Sequence, residues 1–231
     1  MNRCEIREAV SRSALFQDAG ADALAAAVEG ASSRAVEAGD AVLHQGDPSD
    51  QLFLLARGLV KMSQVTPGGS EIALRFMGPG DLIGCVAVFQ RIPYPATGLA
   101  VEDSVVLAWS AARIAALLET HPRITANALR IVSLRAREFH ERLGEAASGR
   151  AEQRVARALL RLAHQTGRRV EGGVEVGFHA SLRDLAEMTN VAYHTVSRIL
   201  SAWRREGLID NGRHRILVKA PHRLFEIAED L

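Results

Sequence analysis

The sequence predicts an α+β protein in which an antiparallel β-sandwich or barrel is followed by a long helix and a small, mainly helical domain. Three observations predict this order. From about 36 to 110, short apolar runs alternate with turns rich in Gly, Pro and Asp, as in antiparallel β-proteins. An amphipathic stretch without Gly or Pro then follows Pro122 and continues to Gly144. Residues 181–205 predict two short helices joined by a tight turn.

The composition of the 231-residue chain is that of a folded protein. Apolar residues make up 48% and charged residues 24%, which excludes disordered, collagen-like and disulfide-scaffold classes. With only Cys4 and Cys85, the chain cannot build a four-cysteine zinc site or a four-cysteine iron–sulfur cluster. No apolar run approaches the ~20 residues that cross a bilayer, and the first residues lack the apolar region of a secretory signal. We therefore expect a soluble, cytoplasmic protein without a membrane partner.

The chain is predicted to have three parts. Residues 1–120 form the β-rich domain, with flanking helices at about 5–12 and 20–29, residues 121–148 form the long helix and its hinge, and residues 149–231 form the C-terminal domain. The net charge is −3 up to the hinge and +4 beyond it, where five of the eight histidines also lie. A basic C-terminal domain indicates that this part of the chain meets a polyanion.

The β-rich domain is predicted from apolar segments of strand length. The clearest segments are 42–44, 52–55, 59–62, 72–76 and 105–109. Turn residues separate them, and frequent turns between short strands favour a sandwich or barrel.

The long helix is predicted to begin near Pro122, because proline suits the first turn of a helix. It carries an apolar seam at helical spacing, which needs a partner. The seam consists of Ile124, Ala128, Ile131, Val132, Phe139 and Leu143. Two interpretations remain open, namely packing on the chain's own β-domain and a homodimer interface. Residues 146–149 follow as a predicted hinge.

One segment of the C-terminal domain shows the pattern of a helix-turn-helix. Ser181 and Asp184 resemble a capping box that opens a first helix ending near Met188, and a second helix is predicted from Tyr193 to Arg205. The apolar side chains of the second helix that face inward are Val196, Ile199, Leu200 and Trp203. The remaining polar face on the second helix is typical of a helix-turn-helix.

The polar side chains of this segment suit double-stranded DNA. Those predicted to read bases are Tyr193, His194, Ser197 and Arg198. Arg198 can bind guanine through two hydrogen bonds to O6 and N7, and its neighbours can reach other base edges. Contacts to phosphates, which set register without reading sequence, are predicted for Ser181, Arg183, Thr195 and Arg213.

A hairpin is predicted directly after these helices. Residues 208–209 and 216–218 form its strands, and Asn211 and Gly212 form its turn. A hairpin in this place is typical of a winged helix, and Arg213 lies on the predicted wing.

With these motifs in the order found, the chain resembles the Crp/Fnr superfamily of bacterial transcription regulators from about residue 13 to 225. The resemblance rests on residues 38–61, on Gly80-Asp81-Leu82-Ile83-Gly84 and on Thr195-Val196-Ser197-Arg198-Ile199-Leu200. It implies an N-terminal antiparallel β-roll or jelly roll of the cyclic-nucleotide-binding type, a long dimerisation helix and a C-terminal winged helix-turn-helix. It also implies a homodimer on a pseudo-palindromic DNA operator, with an N-terminal sensor domain that modulates DNA affinity and with RNA polymerase as a partner.

The family's cyclic AMP-binding residues are missing from this chain. Members that bind cyclic AMP carry Gly-Glu after the apolar strand of the β-roll and Arg-Ser further along, where the glutamate holds the ribose and the arginine the phosphate. The corresponding effector-pocket residues here are Gly84, Cys85, Pro95 and Ala96, with Phe139 and His140 on the long helix. A buried phosphate would lack its main charge partner without the arginine. We therefore expect an effector other than cyclic AMP.

The resemblance leaves the effector open and assigns no cofactor. One candidate is haem, as in the branches of the family that sense carbon monoxide or nitric oxide. Separately, residues 94–97 resemble a sequence found in many members that lack the cyclic AMP-binding residues, including nitrogen-oxide responsive ones. The candidate haem ligands are His44, Met77, Cys85, His121 and His140. The other candidates are another small molecule, a thiol switch at Cys85, and the absence of any effector.

Two other classes of function compete with a DNA-binding regulator. A regulatory ligand-binding module without DNA activity would use the N-terminal domain and leave the C-terminal motifs without a role. An enzyme is not expected, because the chain has no Gly-rich phosphate loop, no His-Glu-x-x-His pair and no Gly-x-Ser-x-Gly elbow.

Overall fold

The computed structural model describes residues 1–69, 71–148, 150–176, 182–212 and 215–230. The chain folds as two compact units, of which the first comprises residues 1–69 with 77–138 and the second comprises residues 70–76 with 139–231. The boundary at residue 138 lies inside the long helix. The three-part division at residues 120 and 148 stays a prediction.

The first unit is built from helices around two β-sheets. Its elements in chain order are α1 (Arg3–Arg12), α2 (Ala21–Glu29), β1 (Ser32–Val36), β2 (Ala41–Leu43), β3 (Gln51–Arg57), β4 (Val60–Val65), β5 (Glu71–Met77), β6 (Leu82–Ile83), α3 (Cys85–Gln90), β7 (Thr97–Ala100), β8 (Ser104–Ser110), α4 (Ala111–Thr120) and α5 (Pro122–Ser148). Two of these elements, β5 and α5, are divided between the two units. The two flanking helices and the five strand segments predicted from the sequence are all present. The short helix α3, the helix α4 and strands β1, β6 and β7 are additions to the prediction.

The strands form two four-stranded sheets with the orders β1-β8-β3-β6 and β2-β7-β4-β5. Each pair with a described register is antiparallel, as where Phe53 of β3 lies opposite Ala108 of β8. This confirms the predicted antiparallel β-domain.

Strand β3 lies at the centre of the first unit's core. Residues 52–55 are all buried, so both faces of the strand are covered and its apolar run is continuous. On the neighbouring strand β8, the Trp109 ring lies 5.7 Å from that of Phe16 between centroids, and its indole N–H donates to the Ala27 carbonyl at 2.7 Å. Packing and a hydrogen bond thus join the N-terminal helices to the β-domain.

Helix α5 begins against its own unit. Pro122 is its first residue, as predicted, and Ile124 and Ala128 are buried in the first unit's core. The Asn127 amide donates to the carbonyls of Leu15, at 3.1 Å, and of Gln17, at 2.7 Å. The first turns of α5 therefore pack on the chain's own β-domain. The intersubunit seam stays a prediction.

The second unit contains the C-terminal helices and a third sheet. Besides the parts of β5 and α5, its elements are α6 (Ala151–Thr166), β9 (Gly167–Val170), β10 (Gly173–Val176), α7 (Leu182–Thr189), α8 (Tyr193–Arg205), β11 (Ile209–Gly212), β12 (Arg215–Val218) and α9 (Pro221–Glu229). The sheet has the order β11-β12-β10-β9, and its strands are antiparallel.

Two local predictions in this unit are wrong. Residues 146–148, predicted as a hinge, are the last turn of α5. The hairpin turn is not Asn211 and Gly212, because these residues pair with Ile216 and Arg215 as part of β11. Residues 213–214, which follow in the chain, lie outside the described residues.

Candidate functional site

The C-terminal unit contains two helices, α7 and α8, with one buried face each. In α8, Val196, Leu200 and Trp203 are buried and Ile199 is half-buried, at the spacing that places them on one side of a helix. This is the inward face predicted from the sequence. Leu185 of α7 is buried as well, so the two helices share a small apolar core.

The turn between the helices has a defined backbone. Asn190 has a positive φ of 50°, in the left-handed region that asparagine tolerates better than most residues. The Val191 N–H donates to the Ala186 carbonyl at 3.1 Å, which closes the end of α7 as in a Schellman motif. Two short helices about a tight turn are thereby established.

The opposite face of α8 is polar and exposed. His194 and Arg198 are exposed, Tyr193 is 56% exposed and Ser197 is half-buried. Within the described part of the chain, no hydrogen bond or ion pair of its own engages the side chains of His194, Ser197 or Arg198. These donors are therefore free to meet base edges.

Two further residues extend this face beyond the sequence prediction. Ser201 and Arg205 follow His194, Ser197 and Arg198 at spacings of three and four along α8, and both are exposed. The helical periodicity that predicted the inward face contained this signal, because every residue three or four positions after a polar-face residue shares its side.

The predicted phosphate contacts are only partly described. The Arg183 guanidinium is exposed and lies 3.5 Å from the Glu187 carboxylate, and Thr195 is half-buried near the start of α8. Glu187 is half-buried, whereas the Arg183 side chain is exposed to solvent, and its contact with a phosphate stays a prediction. Ser181 and Arg213 lie outside the described residues.

The predicted effector residues divide between the two units. In the first unit, Gly84 has a φ of +83° and precedes Cys85, which is buried at the first position of α3. Ala96 is buried and Pro95 is exposed. On α5, Phe139 and His140 are exposed and belong to the second unit. A pocket shared by the six residues stays a prediction.

Tyr94, noted in the sequence only as part of residues 94–97, packs against Gly84, a contact that the sequence did not predict. A Cβ atom on Gly84 would lie 2.8 Å from the Tyr94 ring, so only glycine fits there. The Tyr94 hydroxyl donates to the Gln51 carbonyl at 2.5 Å and accepts from the Gln51 N–H at 3.2 Å. Burial raises the pKa of Tyr94 above its ordinary value of 10.0, although the hydrogen bond to Gln51 opposes this shift. In the sequence, the feature that distinguishes Tyr94 is its position between two prolines, Pro93 and Pro95.

We expect Tyr94→Phe to lower the free energy of unfolding by about 1 kcal/mol, because the N–H and the carbonyl of Gln51 each lose a partly buried hydrogen bond. The raised pKa means that the neutral phenol stabilises the fold below pH 10 and that this contribution is lost as the pH rises further. Urea unfolding at pH 8 and pH 11 measures both effects. The difference in the free energy of unfolding between the wild type and Tyr94→Phe should be smaller at pH 11 than at pH 8. Tyr193 is exposed, and Tyr193→Phe, the control, should match the wild type at both pH values.

A cleft of about 700 Å³ lies elsewhere in the first unit, bounded by α3, α4 and the loop that follows β2. Its floor is apolar, and its rim carries the charges of Asp50, Arg91 and Glu119. Its lining does not include Gly84 or Cys85. The cleft is therefore separate from the predicted effector residues.

The candidate haem ligands lie in different surroundings. Met77 and Cys85 are buried in the core of the first unit, His44 is exposed and His121 is half-buried at the start of α5. Among the described residues, no three His, Cys, Asp or Glu side chains are grouped so that they could hold a metal ion.

Comparison with known proteins decides the family. Two family models match the chain, the cyclic nucleotide-binding domain over residues 33–121 and the Crp-like helix-turn-helix domain over residues 153–227. The chain is also 32% identical over 190 residues to the cyclic AMP receptor protein of Thermus thermophilus, which covers 82% of this chain and 85% of that protein. The chain belongs to the Crp/Fnr superfamily.

Further proteins are similar over 85–94% of this chain. The CRP-like cAMP-activated global transcriptional regulator of Mycobacterium tuberculosis is 28% identical over 217 residues, which is 94% of this chain and 97% of that protein. A solved transcriptional regulator of the CRP family from Thermus thermophilus is 25% identical with a TM-score of 0.70, covering 85% of this chain and 96% of that one. FixK2 from Bradyrhizobium japonicum shares the fold, with a TM-score of 0.74 at 18% identity over 85% of this chain and 96% of that one.

These likenesses confirm the predicted family and fold class, including the helix-turn-helix domain. The protein is a transcriptional regulator of the Crp/Fnr type with a helix-turn-helix DNA-binding domain, and such regulators are not enzymes. A ligand-binding module without DNA activity would leave this domain unexplained. No helix in the described ranges has the length and apolar character needed to cross a membrane.

Proposed function

We propose that the protein acts as a homodimer that binds a pseudo-palindromic operator through α8, and that its N-terminal domain adjusts DNA affinity in response to an effector other than cyclic AMP. The observation that carries this proposal is the free polar face of α8, opposite the buried face of Val196, Leu200 and Trp203. RNA polymerase is the partner we propose for the DNA-bound dimer.

Arg198 is the principal base-reading residue of the proposal. Its guanidinium can donate two parallel hydrogen bonds to guanine O6 and N7, which is the commonest base-specific contact in the major groove. His194, Ser197 and Tyr193 share the leading part of the helix and meet neighbouring base edges. Ser181, Arg183, Thr195 and Arg213 hold phosphates and set the register.

An exposed apolar stripe on α5 supports the homodimer. Leu129 is 68% exposed and Phe139 is 61% exposed, and Val132 and Ala136 lie between them at spacings of three, four and three residues. This is the heptad spacing by which two parallel helices interlock. The stripe continues in register to Leu143, whose side chain lies outside the described residues.

The chemistry of residues 85, 95 and 96 supports an effector other than cyclic AMP. The cysteine and the proline lack the charge that a ribose hydroxyl and a cyclic phosphate require, and Pro95 has no N–H to donate. The relatives from Thermus thermophilus and Mycobacterium tuberculosis are named for cyclic AMP, and we propose that this chain departs from them in this respect.

Calorimetric titration with cyclic AMP should show no binding tighter than about millimolar, which corresponds to roughly 4 kcal/mol. The variant carrying Cys85→Glu and Pro95→Arg, which supplies both missing charges, should bind more tightly than the wild type. Micromolar affinity of the wild type for cyclic AMP, together with stronger operator binding, would contradict the proposed effector class.

An absorption spectrum of the purified protein separates the remaining effectors. A Soret band identifies haem as the sensor, and His44, Met77, Cys85, His121 and His140 are then the ligands to substitute. A spectrum without it directs the search to small organic ligands and to oxidation of Cys85.

Selection of DNA fragments from a random library tests the proposed function as a whole. We expect the wild-type protein to enrich an inverted repeat whose half-sites lie about one helical turn, roughly 34 Å, apart. Enrichment of direct repeats or of no sequence would contradict it.

A further inference from the structure

Helix α6 lies against both helices of the helix-turn-helix and is joined to each by one side chain near its own start. Its apolar face, which includes Val155 and Leu159, is buried in the second unit. Arg154 and Glu152 stand on the first turn of the same helix and form hydrogen bonds to α7 and α8, respectively.

The first hydrogen bond closes the end of α7. The Arg154 Nε–H donates to the Thr189 carbonyl at 3.1 Å. The last carbonyls of a helix have no partner inside it, and the Arg154 guanidinium supplies one to the carbonyl of the last residue of α7. Asn190, with its positive φ, follows directly. Arg154 therefore holds the residue from which the chain turns towards α8.

The second hydrogen bond reaches the far end of α8. The Trp203 ring is only 1% exposed, and its indole N–H donates to the Glu152 carboxylate at 3.0 Å. A hydrogen bond to a charged acceptor is stronger and more directional than one between neutral groups. Since Trp203 lies on the buried face and Arg198 on the exposed face of the same helix, a rotation of α8 moves both.

We propose that Glu152 and Arg154 are positioning residues that set the orientation of α8 and thereby the sequence selectivity of the protein. A bidentate contact to guanine requires both guanidinium N–H groups to point at O6 and N7 together, so a small rotation of α8 weakens it. Contacts to phosphates depend on charge and tolerate such a rotation. Loss of either hydrogen bond therefore lowers discrimination between sequences more than it lowers general DNA affinity. The inference rests on the proposed role of α8 in reading the operator.

The test measures the ratio of the affinity for the selected operator to that for random DNA at one salt concentration. Glu152→Ala and Trp203→Phe each remove one partner of the same hydrogen bond, and the phenylalanine keeps an aromatic ring in the core. We expect each change to lower this ratio about tenfold. The double variant should lose no more than either single one, because both changes break the same bond. Glu171→Ala, which removes an exposed acid of the same unit, is the charge-matched control and should keep the wild-type ratio.

Arg154 is tested in the same way. Arg154→Met keeps the length of the side chain without its donor and should lower the ratio, whereas Arg154→Lys keeps a donor and should restore part of it. Loss of one positive charge weakens binding to all sequences alike and so cancels in the ratio.

A wild-type ratio in both Glu152→Ala and Arg154→Met would overturn the positioning role while leaving the proposed function intact. Glu152 is exposed, so its alanine variant folds even if a change at Trp203 is not tolerated. Failure of the wild-type protein to select any operator would overturn the proposed function and the positioning role together.

Discussion

Replacing Arg198 by alanine is expected to abolish discrimination between the operator and other DNA while the protein stays folded and dimeric. A bidentate arginine–guanine contact contributes roughly 1–3 kcal/mol, and a symmetric dimer loses it at both half-sites. Arg198 is exposed on α8, and no described residue pairs with it, so the fold does not depend on its side chain. Competition gel shifts between the selected operator and random DNA measure the loss.

Two further variants separate the effect of base recognition by Arg198 from the effect of losing a positive charge. Arg198→Lys keeps the positive charge but not the planar pair of donors, so it should retain affinity for random DNA and lose the preference for guanine. Arg7→Ala removes one exposed arginine from α1 and should leave the operator preference unchanged. If Arg198→Ala selected the same operator with unchanged affinity, the assignment of α8 as the recognition helix would be wrong.

Introducing a carboxylate into the apolar stripe of α5 is expected to produce monomers that no longer bind the operator. Phe139→Glu or Val132→Glu would place an unpaired charge in the proposed subunit interface, and two copies of it by symmetry. Monomers then lose operator binding, because two half-sites roughly 34 Å apart need two recognition helices. Sedimentation equilibrium measures the first effect and gel shifts the second.

The same helix offers a matched control for this experiment. Leu134 is an exposed apolar residue of α5 but lies away from the heptad positions of Leu129, Val132, Ala136 and Phe139. Leu134→Glu makes the same chemical change and should leave the protein dimeric. A Phe139→Glu protein that sediments as a dimer would rule out the proposed interface.

Local periodicity in the sequence was sufficient for the recognition helix. The bounds of α8, its buried side and its polar side all follow from a 3.6-residue repeat within 13 residues. The turn before it was predictable too, since Asn190 is one of the few residues that accept a left-handed conformation.

Short apolar segments were the main source of error in the fold. The segment Cys85–Gln90 is rich in valine and only six residues long, so its sequence does not distinguish a strand from the helix α3 that it forms. Asn-Gly is a frequent turn sequence and predicts the hairpin turn at Asn211 and Gly212, but both residues pair with β12 as the end of strand β11.

The sequence by itself determined the antiparallel β-domain, the long helix and the helix-turn-helix, because each depends on patterns within one segment. Only the tertiary structure decided which contacts join distant segments. It placed Ile124 in the core of the first unit, brought Tyr94 to Gln51 and brought Glu152 to Trp203. These partners are separated by 43 and 51 residues in the two hydrogen bonds, and no local period encodes such a pairing. These two hydrogen bonds form because the polar groups of the buried side chains Tyr94 and Trp203 need partners, which the folded chain supplies from distant segments.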